Sequence, residues 1–342
     1  VSGAGGQCRL VAGILGSAIG HILTPVNGED QRHYRTAVDV SPRRGQAARP
    51  GAPPVIRTTQ PAGEETMSYS AKQIEQEIIR ILEQGTAAVK KVVDAYAANR
   101  TPERDMNWLC IQMGKEFGAI LLHADLAKAA IRGGMEGRDM DEKFQTIKEE
   151  VAHYQGYYNL LNRTIGKDTP IPVDHIYSYV LANVGPNGLE PDAPMLAQRD
   201  RWPANFNYIA NMGAYAKGKH PWVARVFSAT GEGAAGGWHW AMSQLPPVDD
   251  FFREAAKVQK GIAIDELRHG PQELKEICED YSPDFNIDLK DMFRELRHMR
   301  YLEVLQRNEQ FLYPLSDEAI EGIRQELMND AIEPIRVYSE AA

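Results

Sequence analysis

From Ser70 onward, apolar positions recur at helical intervals along almost the whole chain. Ile74, Ile78, Ile79, Ile81 and Leu82 follow Ser70, which stands three residues before Gln73. That spacing predicts a capping box opening a helix that runs to about Ala98. Thr101-Pro102-Glu103 reads as a second entry with Pro in the first turn, and Leu109, Met113, Phe117, Ile120 and Leu121 carry that helix onward. Gly133-Gly134 and Gly137 break it, and the next helix is expected from about Met140 to Asn162. Residues 166–201 hold Gly, Pro and Asn clusters with one short helix near His175 to Asn183, and no run in the chain alternates as a strand would. Past Trp202-Pro203 the pattern predicts a helix to about Lys217 and another from about Pro221 to Gln244. After Pro246-Pro247 comes one from about Asp249 to Ile277. Two final helices, about Asp288 to Tyr313 and Ser316 to Ser339, are expected to pack outside the others or to form a dimer contact.

The expected fold class is therefore all-α: two helical hairpins joined by a long crossover, as a four-helix bundle of this kind needs, with flanking helices. Residues 1–66 differ in kind. They contain no Lys and seven Arg against five acids, with a Pro/Arg/Gly-rich run from Ser41 to Gly63. Such a composition buries too little apolar surface to offset its ordering entropy, so this stretch is expected to be a disordered or non-native extension. Met67 is the expected start of the folded part, residues 67–342. Leu10 to Leu23 is apolar but too short to span a bilayer, and it lacks the flanks of a signal peptide.

The chemistry lies in a repeated spacing. Glu116 is followed 34 residues later by Glu150-Val-Ala-His153, and Glu232 is followed 34 residues later by Glu266-Leu-Arg-His269. Glu and His three apart project from one helix face. Two Glu helices and two Glu-x-x-His helices facing inward supply four carboxylates and two imidazoles, a ligand set for two iron or manganese ions. Glu295-Leu-Arg-His298 has the same local spelling without the upstream Glu, and it reads as an exposed helix face.

This arrangement resembles the ferritin-like di-iron carboxylate superfamily, which includes rubrerythrins, ribonucleotide reductase small subunits and bacterial multicomponent monooxygenases. Asp265-Glu266-Leu267-Arg268-His269 is similar to the Asp-Glu-x-Arg-His box of the monooxygenase hydroxylases, and the likeness covers roughly residues 103–275. The resemblance implies that Glu150 and Glu266 bridge two metals, that Glu116 and Glu232 are terminal ligands, and that His153 and His269 bind one metal each. It also implies that Asp265 orients His153 and that Glu149 orients His269, with Arg268 either paired to one of these acids or solvated. Arylamine N-oxygenases of the superfamily carry a further histidine where this chain has Ile262.

Other residues stay open at this stage. His123 and His239 lie seven residues after Glu116 and Glu232, on the ligand face but about 10 Å further along the axis. They are expected to be too far for the same metal pair, and either line a pocket or serve as polar packing. Tyr154, Tyr157 and Tyr158 read as core and rim aromatics or as a redox tyrosine. Thr230-Gly-Glu-Gly-Ala-Ala-Gly-Gly-Trp238 crowds four glycines into a helix, each unfavourable by about 1 kcal/mol relative to Ala. Either they open a substrate cavity or π-bulge beside Glu232, or they permit close helix packing. Glu232, Gly236, Asp265 and Glu149 are accordingly the candidate catalytic residues.

A net charge of −9 and a pI near 5.6 argue against a nucleic-acid-binding surface. Cys8, Cys110 and Cys278 form no C-x-x-C pair, which excludes an encoded rubredoxin-type centre and fits a reducing cytoplasm. The resemblance implies an oxidoreductase, an O2-activating di-iron monooxygenase that hydroxylates, epoxidises or N-oxygenates a small organic substrate. Its electrons would come from a separate reductase or ferredoxin, since no flavin or nicotinamide fingerprint is present. The alternative is a ferritin-like ferroxidase or peroxidase with no organic substrate, and a helical interaction protein with a vestigial site is a third. A homodimer with no membrane partner completes the expectation.

Overall fold

The computed structural model describes residues 69–133, 137–165, 182–185, 188–191, 193–197 and 199–338, all within one compact unit, Glu65–Ala342. The expectations for residues 1–66 and for Met67 lie outside the described residues. Helices dominate, in the order α1 (Ala71–Ala98), α2 (Pro102–Arg132), α3 (Gly137–Thr164), α4 (Ala193–Ala197), α5 (Pro203–Ala216), α6 (Pro221–Ser243), α7 (Asp250–Glu279), α8 (Leu289–Gln310) and α9 (Asp317–Met328). None among the described residues is long and apolar enough to cross a membrane.

Local chemistry sets these boundaries. The Ser70 backbone N–H donates to Gln73 Oε1 at 2.8 Å while Gln73 N donates back to Ser70 Oγ at 3.3 Å, so the capping box opens α1. Thr101 Oγ1 accepts from Arg104 N at the start of α2, and Asp249 Oδ1 accepts from Phe252 N at the start of α7. Helix α9 stops at Met328, eleven residues before the end expected for it. Asp330 takes a left-handed backbone (φ 58°) and Pro334 follows, so the chain continues as an extended tail.

Two departures concern the crossover and α8. Residues 182–185 (β1) pair antiparallel with residues 188–191 (β2), so the short helix expected to end at Asn183 gives way to a strand there. The rest of that expected helix lies outside the described residues. Helix α8, expected on the outside, packs against α1, α5 and α9, and Arg300, Glu303, Gln306, Arg307, Glu309 and Gln310 are all buried on it. Its charged residues look like a solvated stripe in the sequence, but they are satisfied internally. Arg300 Nη1 donates to Glu303 Oε2 at 3.1 Å, and Glu309 accepts from Ala204 N and Asn205 N at 2.9 and 3.0 Å, capping α5.

The ligand-bearing helices form two hairpins, α2 with α3 and α6 with α7, held together by α3 against α7. Two apolar clusters flank them, one around Trp108, Tyr157, Trp238 and Phe252, the other around Ile78, Trp222 and Phe293. Gly233, Gly236 and Gly237 of α6 serve this packing. A Cβ on Gly270 of α7 would lie 2.8 Å from Gly233 Cα, and a Cβ on Gly237 would lie 2.8 Å from Tyr338 Oη. Gly270→Ala should therefore destabilise the metal-free protein by about 1–3 kcal/mol, despite the better helix propensity of Ala. Urea unfolding checks this, and an unchanged or raised midpoint would mean that the backbones separate at no cost.

Candidate metal centre

All six sequence-derived ligands line one cavity of about 400 Å³. Its walls come from helical stripes. Gln112, Lys115, Glu116, Ala119, Leu122, His123 and Leu126 face it from α2, while Ser228, Gly231, Glu232, Ala235 and His239 face it from α6. Gly236 is not among them; a Cβ there would meet Leu267 at 3.0 Å, so it serves helix packing and the expected pocket role passes to Gly231 and Ala235.

Glu116, Glu150 and His153 are buried, and each offers a ligand atom within 4.8 Å of the others. His153 Nδ1 lies 3.4 Å from Glu116 Oε2 and 3.7 Å from Glu150 Oε2, and among the described residues it has no hydrogen-bond partner. A buried nitrogen of this kind is costly unless something occupies the space before it. Two ligand atoms each about 2.1 Å from a shared ion stand roughly 3.0–3.5 Å apart in octahedral or tetrahedral geometry. The observed distances approach that spacing rather than hydrogen-bond geometry. Glu232, Glu266 and His269 join the cavity wall but do not gather as tightly.

Behind the histidines the acids cross over. His153 Nε2 lies 3.4 Å from Asp265 Oδ2, and His269 Nε2 lies 3.4 Å from Glu149 Oε2. The first is a hydrogen bond, which ties down His153 Nε2 and leaves Nδ1 as the other nitrogen, whereas Glu149 Oε2 has no hydrogen-bond partner among the described residues. Arg268 Nη2 donates to Glu149 Oε1 at 3.0 Å and sits 3.7 Å from Asp265 Oδ1 and 3.1 Å from His269 Nε2, bracing both halves. Gln145 Nε2 also donates to Glu149 Oε1 at 2.9 Å. Asp265→Ala should weaken metal binding about 10- to 100-fold while leaving the helical content intact. Competition with a chelator measures this, and an unaltered affinity would show that Asp265 does not position His153.

The electrostatics call for cations. Burial, with Glu273 alongside, pushes the Glu232 carboxyl up to about 8. Burial and the neighbouring Glu150 and Glu116 raise Glu266 well above the carboxylate range, and burial raises Glu150. Burial alone would lower the His153 imidazolium, but Glu116 and Glu150 outweigh it and push it up to about 11. These are carboxyl groups held together without enough positive charge.

Several residues at the site were not anticipated. Glu273 stands one turn after His269, a spacing that puts it on the same face. Asn205, Tyr208, Ile209 and Met212 line the cavity from α5 at intervals of three, one and three, a stripe legible in the sequence. From α8 come Glu303, Gln306 and Arg307, with no sequence signal to separate them from a solvated face. His239 is polar packing at the cavity edge: its Nδ1 lies 2.7 Å from Gln259 Oε1, and Gln259 Nε2 donates to Tyr157 Oη at 2.9 Å. Tyr157 is fully buried, while Tyr154 and Tyr158 stack at 6.5 Å between ring centres. His298 does not line the cavity. In comparisons with protein-family models, curated proteins and solved structures, nothing matches this chain.

Proposed function

We propose that the protein is an O2-activating non-haem di-iron oxygenase acting on a small organic molecule. The observation that carries the reading is His153 Nδ1, buried and without a hydrogen-bond partner among the described residues, aimed at the carboxylates of Glu116 and Glu150. The donor set fits the group: carboxylate oxygens and imidazole nitrogens suit iron or manganese, and two divalent ions would neutralise four glutamates. Glu116, Glu150, His153, Glu232, Glu266 and His269 would hold them. When bound, two irons supply the reduction of O2 and an oxidant strong enough for a C–H, C=C or amine group.

The chain's own residues do the rest. Asp265 accepts a hydrogen bond from the His153 imidazole and fixes its orientation, Glu149 lies 3.4 Å from the His269 imidazole, and Arg268 restrains both acids. Leu122, Ile209, Met212 and Ala235 give the cavity apolar walls beside the carboxylates, which suits an organic substrate. A ferroxidase needs no such chamber, and this favours the oxygenase over the alternative. The electron donor in this reading is a separate reductase or ferredoxin.

The test is to mix the reduced, iron-loaded protein with O2 in a stopped-flow instrument, with small alkenes, arenes and arylamines as candidate substrates. An oxygenase gives faster O2 consumption with one class and a product carrying oxygen from 18O2. Consumption indifferent to every candidate, ending in ferric mineral or released peroxide, selects the ferroxidase or peroxidase instead. Ala235→Leu, which fills the wall next to Glu232, should keep both irons but lose the substrate-dependent acceleration and release peroxide. Coupled turnover that survives this change would move the substrate elsewhere.

A further inference from the structure

His123 does not sit where its spacing in the sequence suggests. Its Cα lies two turns beyond Glu116 on α2, yet its Nε2 is 3.7 Å from Glu150 Oε1. The reason is side-chain direction. Residues on a helix lean toward its N-terminus, so Glu150 on α3 reaches back along its own helix toward Thr146, and both face the same cavity as His123. Glu150 thus presents one oxygen to each of two imidazoles, Oε2 toward His153 Nδ1 and Oε1 toward His123 Nε2, both at 3.7 Å.

The two contacts are alike in kind. Each is too long for a hydrogen bond. Each stands just beyond the roughly 3.0–3.5 Å that separates two ligand atoms sharing an ion. His239, the counterpart in the second hairpin, is held differently: its Nδ1 is engaged by Gln259, which ties it into the packing around Tyr157. The two histidines share a sequence spacing but not a role. The side chain of His123 is only 16% exposed, and what exposure it has includes the cavity.

We propose that His123 is a third imidazole ligand of the metal centre, binding through Nε2 the ion that Glu150 Oε1 shares with the second hairpin. This rests on the di-metal reading above. It makes the centre unsymmetrical, with one ion taking a nitrogen from each hairpin and the other a single nitrogen from His153.

The experiment uses the full chain loaded with two equivalents of Co(II) and grown with ring-labelled histidine. Each metal-bound imidazole gives one set of strongly shifted NMR resonances, so bound rings are counted without turnover. Three sets are expected in the parent protein and two in His123→Gln, with His123→Asn as a second variant. The two surviving sets report that the centre is still folded. Two sets in the parent, unchanged by either substitution, overturn the third ligand and leave the di-metal reading standing. Three sets that persist in both variants also overturn it, because another histidine then supplies the third ring. No shifted set in any protein overturns the di-metal reading, and the third ligand with it.

Discussion

Removing the metal with a chelator is expected to lower the thermal midpoint by roughly 15 °C or more at pH 8, and by much less at pH 5. Each tightly bound ion at about a thousandfold over its dissociation constant stabilises by about 4 kcal/mol, and a chain of this size gains about 2–4 °C per kcal/mol. The pH dependence follows from the carboxyls. Glu232 rises from an ordinary 4.5 to about 8 in the fold. A group raised in this way contributes stability that is complete below its unfolded value and is lost as pH climbs through its folded value. The metal-free protein should therefore weaken between about pH 4.5 and 8, with Glu150 and Glu266 acting in the same direction. His153 extends the loss, its share being intact below 6.5 and gone as pH passes about 11. Metal ions displace these protons, so their affinity rises over the same range. Melting curves at pH 5, 6.5 and 8, with and without the ions, measure the gap, and a gap that stays constant or narrows toward pH 8 would contradict the assignment of these groups to one site.

Glu303→Ala should cost about 3–5 kcal/mol of stability independently of metal. Glu303 is 3% exposed and lies between Arg300 and Arg307, at 3.1 and 3.4 Å, and both arginines are buried. Arg307 keeps other supports, donating to Gln310 Oε1 at 3.1 Å and stacking 4.1 Å over the Trp238 ring. None of these supplies the negative charge that Glu303 does. By contrast, Glu321→Ala breaks an exposed pair with Arg324, which water screens, and should leave the urea midpoint nearly unchanged. Urea denaturation of both variants makes the comparison, and equal effects would mean that water reaches the α8 network.

The legible part of this molecule was whatever periodicity could encode. Ser70 and Gln73, Thr101-Pro102 and Asp249 are local signals, and they fix the starts of α1, α2 and α7. The twin spacings of 34 residues needed only two helical hairpins to bring Glu116, Glu150, His153, Glu232, Glu266 and His269 to one cavity. Three-dimensional choices were not legible. Arg300, Glu303 and Arg307 form an i, i+3, i+7 set that reads the same whether water or a neighbouring helix faces it. Gly236 could mark a cavity or a close approach, and only the position of Leu267 decides between them. The spacing of His123 gave its height along α2, but not the lean of Glu150 that closes the distance.

The most direct test of the central claim is the metal content of the purified full chain, loaded anaerobically with ferrous iron, freed of excess and assayed by mass spectrometry beside a Glu150→Ala/Glu266→Ala double variant. Two irons per chain in the parent and almost none in the variant is the expected result. A parent that retains no iron, or a variant that retains as much as the parent, would contradict a centre built from these six residues.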